Sequence, residues 1–197
     1  MNICLYGSGS RKIDKIYTDE AYKLGCRMAD EGHTLVFGGG DTGMMGFCAK
    51  GVHDNGGKSI GIAPEWISEF EPLCPECSKF IYVDSMDERK NKFVENSDAF
   101  IITPGGIGTL DEFFEIITLK KLKQHDKEII VFNIDGFFDK MFEMIDEEYG
   151  CDVLDDVPNL CKKVINKEIS SLDFIIEIEI YVENMKLQEF IQMDILI

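Results

Sequence analysis

Short apolar runs alternate with amphipathic stretches along most of the chain. The apolar runs predict buried strands over residues 2–6, 34–37, 59–63, 80–83, 99–102 and 128–134. Apolar positions at helical spacing between them predict helices over residues 14–31, 47–55, 87–96, 109–123 and 137–149. Strands that alternate with helices are typical of an α/β protein, so we expect a mostly parallel sheet.

Three of the predicted strands end in glycine loops, which begin at Gly7, Gly38 and Gly105. Ligands of open parallel sheets bind outside the carboxyl ends of the strands. Glycines in such loops cost backbone entropy but let a ligand come close to the main chain. We therefore expect the three loops to line one binding site.

Composition and charge restrict the classes of partner. The chain has 197 residues, a formal net charge of −17 and 45% hydrophobic residues. An acidic globular protein of this kind repels nucleic acid and anionic membranes, so we expect neither as a partner. The first residues form a predicted strand rather than a secretory signal, and the seven cysteines have no regular disulfide-like spacing. These features predict a cytoplasmic protein with reduced thiols.

The loop from Pro104 to Thr109 has the features of an anion-binding loop. It joins a buried strand to a helix, an arrangement that directs backbone N–H groups and a helix dipole toward an anion. It lacks the lysine of a triphosphate-binding P-loop, so a monophosphate is the better match. Glu112 follows closely, and two roles remain open for it: a capping box with Thr109, or catalysis beside the bound phosphate.

Other motifs carry weaker signals. Gly7 to Lys12 is half of a dinucleotide fingerprint, and its missing third glycine disfavours NAD. Cys74 and Cys77 have zinc-knuckle spacing without a second pair of ligands, so we predict no metal and no cofactor. Arg89 and its lysine neighbours form a basic cluster that either faces solvent or receives an anionic ligand.

Taken together, three segments resemble the LONELY GUY (LOG) family of cytokinin riboside 5′-monophosphate phosphoribohydrolases, long labelled lysine decarboxylases. They are Gly38 to Gly46, Met86 to Lys90, and the Pro-Gly-Gly-Ile-Gly-Thr-Leu-Asp-Glu stretch that ends at Glu112. The resemblance runs from Ile3 to about Asp146. The residue after Met86 is Asp87, where the family usually has histidine, and the chain after Tyr149 does not follow the family pattern.

The resemblance implies a Rossmann-like, doubly wound sheet with helices on both faces, in a homodimer or a larger assembly. It implies an enzyme that hydrolyses the N-glycosidic bond of an adenine-type nucleoside 5′-monophosphate, without a metal or cofactor. Matched by position, the catalytic pair is Arg89 and Glu112, where we expect Arg89 to keep Glu112 ionised. The phosphate-binding residues are Gly105, Gly106, Gly108 and Thr109. The ribose- and base-binding residues are Gly7, Ser8, Gly39, Gly40, Thr42, Met86 and Lys90.

Residues 1–150 are predicted to form the nucleotide-binding catalytic domain, and residues 151–197 an atypical extension of it. Within that extension, residues 174–182 fit either an edge strand or part of a helix. Two other functions remain as alternatives: a non-catalytic nucleotide or molybdenum-cofactor carrier, and an amino-acid decarboxylase. The second needs a lysine that holds pyridoxal phosphate, and no lysine here is singled out for that role.

Overall fold

A computed structural model describes residues 1–146 and 162–165, in which seven strands form one sheet. The strands are β1 (Asn2–Tyr6), β2 (Thr34–Phe37), β3 (Lys58–Pro64), β4 (Lys79–Val83), β5 (Ala99–Ile102), β6 (Glu128–Asn133) and β7 (Lys162–Ile165). Their order is β4-β3-β2-β1-β5-β6-β7, and every pairing is parallel. The chain builds one half of the sheet outward from β1 and the other half from β5. The topological switch point therefore lies between the carboxyl ends of β1 and β5.

Helices cover both faces of the sheet, which confirms the predicted doubly wound α/β fold. The helices are α1 (Lys15–Asp30), α2 (Gly43–Asp54), α3 (Met86–Asn96), α4 (Ile107–Lys121) and α5 (Asp139–Asp146). Ile3 and Leu5 of β1 pack toward α1 and α2, whereas Cys4 and Tyr6 pack toward α3 and α4. Strands β1, β2, β5 and β6 are nearly continuous apolar runs because both of their faces are buried. In the described part of the chain, no helix is long and apolar enough to cross a bilayer.

The predicted start of α4 was two residues too late. α4 begins at Ile107 with Gly106 as its N-cap, so Thr109 lies inside the first turn rather than at the cap. The predicted capping box with Glu112 is therefore absent. The Thr109 side chain is buried against Gly105 instead, and a methyl group on Gly105 would overlap it.

A reciprocal cap is present at the start of α3, which begins one residue before its predicted start. The hydroxyl of Ser85 accepts a hydrogen bond from the Glu88 N–H (3.1 Å), and the Glu88 carboxylate accepts one from the Asp84 N–H (2.9 Å). Asp87 is exposed in the first turn. The pairing resembles a capping box, and it fixes the start of the helix that carries Arg89.

α2 begins at Gly43, four residues before the predicted start, and packs against α1 through glycines. A methyl group on Gly25 of α1 would overlap the carbonyl oxygen of Cys48, and one on Gly51 of α2 would overlap that of Tyr22. The backbones of the two helices therefore approach each other very closely. This contact fixes the position of α2, whose first residues continue from the second glycine loop.

Strand β7 was not predicted, because its sequence, Lys162–Ile165, has two lysines and only two apolar residues. It pairs with β6 at the edge of the sheet. The rest of the predicted extension, including residues 174–182, lies outside the described residues.

Candidate active site

The three glycine loops meet at the switch point and are joined by hydrogen bonds. The Ser8 N–H of the first loop donates to the carbonyl oxygen of Pro104 in the third loop (3.0 Å). The Thr42 hydroxyl, at the end of the second loop, donates to the carbonyl oxygen of Gly9 (2.6 Å). The loops therefore form one surface, as their positions at the strand ends predicted.

Close contacts between side chains and backbone explain two of the glycines. A methyl group on Gly7 would overlap the hydroxyl of Thr103, which donates a hydrogen bond to the Tyr6 carbonyl oxygen (3.0 Å). Gly39 has a φ of 79°, and a methyl group there would overlap the edge of the Phe80 ring. At these two positions the need for glycine comes from packing within the protein.

The third loop differs, because part of it is open. A methyl group on Gly106 or Gly108 would meet no other atom within 4 Å, and the Ile107 side chain between them is 86% exposed. The N–H groups in the first turn of a helix have no partners within that helix. The start of α4 can therefore offer several N–H donors and a positive dipole end to an anion.

Arg89 is a buried cation beneath the second loop, with 7% of its surface exposed. Its Nε–H donates to the carbonyl oxygen of Ile62 at the end of β3 (3.0 Å), and its guanidinium lies over the ring of Phe93 (5.2 Å to the centroid). A methyl group on Gly38 would overlap Nη2 of Arg89. Backbone, ring and glycine together hold the guanidinium in one place.

Glu112, on the second turn of α4, faces this guanidinium. Its Oε1 lies 3.9 Å from Nη1 of Arg89, which is longer than a hydrogen bond. Burial raises the pKa of Glu112 to about 7, and the opposing attraction of Arg89 does not cancel that effect. The expectation that Arg89 keeps Glu112 ionised is therefore only partly met, because desolvation of the carboxylate is the larger influence.

Met86 and Lys90, on the same helix as Arg89, have different surroundings. Met86 is 37% exposed, and its sulfur lies 4.0 Å from Nη1 of Arg89, at the edge of the site. The Lys90 ammonium lies 2.8 Å from a carboxylate oxygen of both Asp111 and Glu115. Those hydrogen bonds raise the pKa of Lys90 above its ordinary value, and they tie α3 to α4.

Glu71 is a site residue that the sequence did not reveal. It lies just before Pro72 in an irregular segment and belongs to no motif, yet its carboxylate lies close to Gly9 and Gly40 of two loops. Burial raises the pKa of Glu71, and Arg89 partly opposes the change. The backbone explains the placement, because the Asp41 N–H donates to the Pro72 carbonyl oxygen (2.9 Å).

Comparison with known proteins identifies the family of this chain. Residues 45–165 match the family described as "Possible lysine decarboxylase". The cytokinin riboside 5′-monophosphate phosphoribohydrolase LOG of Oryza sativa subsp. japonica is 38% identical over 144 residues, which are 73% of this chain and 60% of the rice protein. The chain belongs to the LOG family. LOG3 of Arabidopsis thaliana, another phosphoribohydrolase of that name, is 37% identical over 74% of this chain and 67% of its own length.

This LOG-family chain spans about 60% of the length of the first rice relatives that it matches. Among solved structures, the molybdenum cofactor binding protein of Rippkaea orientalis superposes with a TM-score of 0.67 and 22% identity, over 92% of this chain and 95% of that one. The molybdenum cofactor carrier protein of Chlamydomonas reinhardtii gives a TM-score of 0.67 and 19% identity, over 92% of this chain and 98% of that one. At these identities the likeness shows a shared Rossmann-like fold.

Proposed function

We propose that the protein hydrolyses the N-glycosidic bond of an adenine-type nucleoside 5′-monophosphate, either AMP or a cytokinin riboside monophosphate. The products are the free base and ribose 5-phosphate. The observation that carries this proposal is the pairing of Arg89 with Glu112 beside an open phosphate-type loop. The names of the LOG relatives from rice and Arabidopsis support the same class of reaction.

In the proposed mechanism, the 5′-phosphate binds at the start of α4, where Gly105, Gly106, Gly108 and Thr109 supply N–H donors and a hydroxyl. The ribose then lies next to Glu112. Cleavage of the glycosidic bond builds positive charge on the sugar, and the ionised Glu112 carboxylate stabilises that charge or directs a water molecule toward it. Arg89 orients the nucleotide and favours the ionised form of Glu112.

The remaining predicted contacts belong to the nucleoside. Ser8 and Thr42 lie on loops that are hydrogen-bonded to their neighbours, so they present a fixed surface to the ribose and base. Gly7, Gly39 and Gly40 would contact the nucleoside through their backbone, and Met86 lies at the exposed edge of the site. Lys90 contributes by joining α3, which carries Arg89, to α4, which carries Glu112.

We further propose that the protein is a cytoplasmic homodimer or larger homo-oligomer. The exposed Leu122, at the end of α4, is apolar surface that a second subunit would cover. Light scattering of the purified chain measures the assembly, and an isolated monomer at every concentration would contradict this part of the proposal.

A nucleotide panel tests the activity. AMP, isopentenyladenosine monophosphate, GMP and adenosine are each incubated with the protein, and chromatography measures free base and ribose 5-phosphate. We expect base release from the two adenine nucleotides and little from adenosine, which lacks the phosphate. Glu112→Gln should lower kcat by roughly 10²–10³-fold, as loss of an electrostatic stabiliser does. Glu95→Gln, on the exposed end of α3, is the matched control and should leave kcat unchanged.

The same experiment separates catalysis from a carrier role. A carrier would bind a mononucleotide or a molybdenum cofactor and release it unchanged, so neither the wild-type protein nor Glu112→Gln would form free base. Binding without any base release, in the wild-type protein, would overturn the proposed hydrolase. A parallel incubation with lysine and pyridoxal phosphate should yield no decarboxylated product.

A further inference from the structure

Cys74 and Cys77 lie away from the Arg89–Glu112 pair, in the segment that follows a 3-10 helix (Glu65–Glu69). Cys74 is buried in the core beside α2, and Cys77 packs partly buried against the same cluster. Both are present as thiols. The proposed hydrolysis uses neither of them.

The two thiols are not equivalent. A hydrogen bond from the Cys77 thiol lowers the pKa of Cys74 below that of an ordinary cysteine, whereas the same bond and burial raise the pKa of Cys77. In pairs with Cys-X-X-Cys spacing, the thiol with the lower pKa is the one that reacts first.

His53, on the last turn of α2, flanks this pair. Its Nδ1 lies 4.0 Å from the Cys74 sulfur, and its Nε2 lies 2.7 Å from the hydroxyl of Ser59. The Glu76 carboxylate lies 3.4 Å from Nδ1. An imidazole next to a sulfur can take up or return a proton when the thiol reacts.

A cavity of about 290 Å³ gives a small molecule access to the Cys74 sulfur. It lies between α2 and the cysteine segment, and its lining includes Phe47, Lys50, His53, Cys74 and Glu76. The volume is at the low end for ligand pockets, which suits a short aliphatic compound. In the described residues, no three His, Cys, Asp or Glu side chains are arranged to hold a metal ion, so thiol chemistry is the better match.

We propose that Cys74 and Cys77 are a dithiol–disulfide couple that reacts with a low-molecular-weight disulfide in this cavity. The Cys74 thiolate attacks one sulfur of the small disulfide, that S–S bond breaks, and the leaving thiolate takes a proton. The Cys77 thiol then loses its proton and attacks the Cys74 sulfur, which releases the second small thiol. Two protein thiols are oxidised to one disulfide, and one small disulfide is reduced to two thiols.

The couple is joined to the second glycine loop by backbone contacts. The Cys74 N–H donates to the Gly39 carbonyl oxygen (2.8 Å), and Leu73 forms an antiparallel bridge with Gly40. Closing the Cys74–Cys77 ring changes the backbone of this segment, so we expect oxidation to alter nucleotide binding at that loop. This second consequence rests on the proposed function, whereas the disulfide chemistry does not.

Alkylation of the reduced wild-type chain tests the thiol asymmetry without any variant. Peptide mass spectrometry follows the rate at which iodoacetamide labels each cysteine at pH 7. We expect Cys74 to react faster than Cys77 by about tenfold or more, since one pKa unit corresponds to a factor of ten in thiolate. Equal rates, or faster labelling of Cys77, would overturn the assignment.

Oxidation then tests the couple itself. The reduced chain is treated with oxidised glutathione or hydroxyethyl disulfide, and the remaining thiols are blocked and mapped. We expect a Cys74–Cys77 disulfide in the wild-type chain, and a stable mixed disulfide on Cys74 in Cys77→Ser. Cys26→Ser is the control and should leave both results unchanged. A mixed disulfide on Cys77, a bond from Cys74 to another cysteine, or no linked peptide would each contradict the proposal. Because mass spectrometry detects the disulfide directly, a failed hydrolase assay would not contradict the proposed dithiol–disulfide couple.

Discussion

Nη1 of Arg89 and Oε1 of Glu112 face each other at 3.9 Å, from two helices on the same face of the sheet. The gap is too long for a direct hydrogen bond, so one atom of a substrate or water can bridge the two groups. The pair is fixed on the arginine side by the Ile62 carbonyl oxygen and by the space above Gly38. Its geometry therefore depends on Ile62 and Gly38 as well as on the two charged side chains.

Gly38→Ala should reduce activity by displacing the guanidinium. The added methyl group would overlap Nη2 of Arg89, and a buried arginine has little room to move. We expect a loss of about 10²-fold in kcat/KM, a magnitude seen when a positioning contact is misplaced by about 1 Å. Steady-state kinetics measures this loss, and thermal unfolding of the same sample shows how much of it is loss of fold.

A double substitution supplies the control for this prediction. Arg89→Lys shortens the side chain and removes the overlap, so Gly38→Ala should destabilise the Arg89→Lys background less than the wild type. The two changes are thus coupled in stability. Additive effects on the unfolding free energy would show that Gly38 acts through something other than Arg89.

The pH dependence of hydrolysis should follow Glu112. Because its pKa is raised to about 7 and the ionised form is the active one, kcat/KM should rise with pH and level off above about 7. Initial rates from pH 5.5 to 9 measure the profile. A rate that instead falls through pH 7 would mean that Glu112 acts as a protonated acid toward the leaving base.

Glu112→Gln should gain stability at alkaline pH while it loses activity. The folded-state pKa of about 7 exceeds the ordinary value of 4.5, so protonated Glu112 favours the fold below 4.5, and that benefit is lost as pH rises to 7. A glutamine carries no such charge. Urea unfolding measures the free energy of unfolding of both proteins at pH 5 and pH 8. From pH 5 to pH 8, the difference between them should shift by about 2 kcal/mol in favour of the variant. If the difference in unfolding free energy were the same at both pH values, the Glu112 carboxylate would be solvated rather than buried.

Substitution of two glycines in the third loop should affect different properties, which are stability for Gly105 and substrate binding for Gly108. Gly105→Ala would overlap Thr109 and should cost about 1–3 kcal/mol of stability, as overpacking does. Gly108→Ala has open space around it, so its melting temperature should hardly change. If the phosphate approaches that backbone, Gly108→Ala should raise KM about tenfold, the equivalent of ~1.4 kcal/mol. An unchanged KM would show that the phosphate does not bind beside the Gly108 backbone.

Lys90→Met tests whether this lysine joins helices or binds the base. The substitution keeps the length of the side chain and removes both ion pairs to α4. We expect similar effects on AMP and GMP, because the distance between Arg89 and Glu112 would change for every substrate. An effect confined to one base would instead indicate direct contact with that base. Lys92→Met, whose partner Glu95 is on the same helix, is the matched control.

The alternation of strands with helices and the glycine loops followed from the sequence, because buried parallel strands are continuous apolar runs that end in recognisable turns. The start of α4 did not, because Thr109 and Glu112 have capping-box spacing while the backbone enters the helix at Gly106. Glu71 was equally hidden, since only the pairing of its segment with residues 39–41 brings it to the loops. The pKa of Glu112 depends on burial, which spacing alone does not specify.

The glycine contacts between α1 and α2 limit how this protein can diverge. No side chain at position 25 or 51 fits without moving one helix away from the other, since each glycine faces a backbone carbonyl rather than a side chain that could adapt. Such a movement would shift Gly43, at the first turn of α2, and with it the Thr42 hydroxyl that binds the first loop. The geometry of the site therefore restricts the residue type at two helix positions on the far side of the sheet from Arg89 and Glu112.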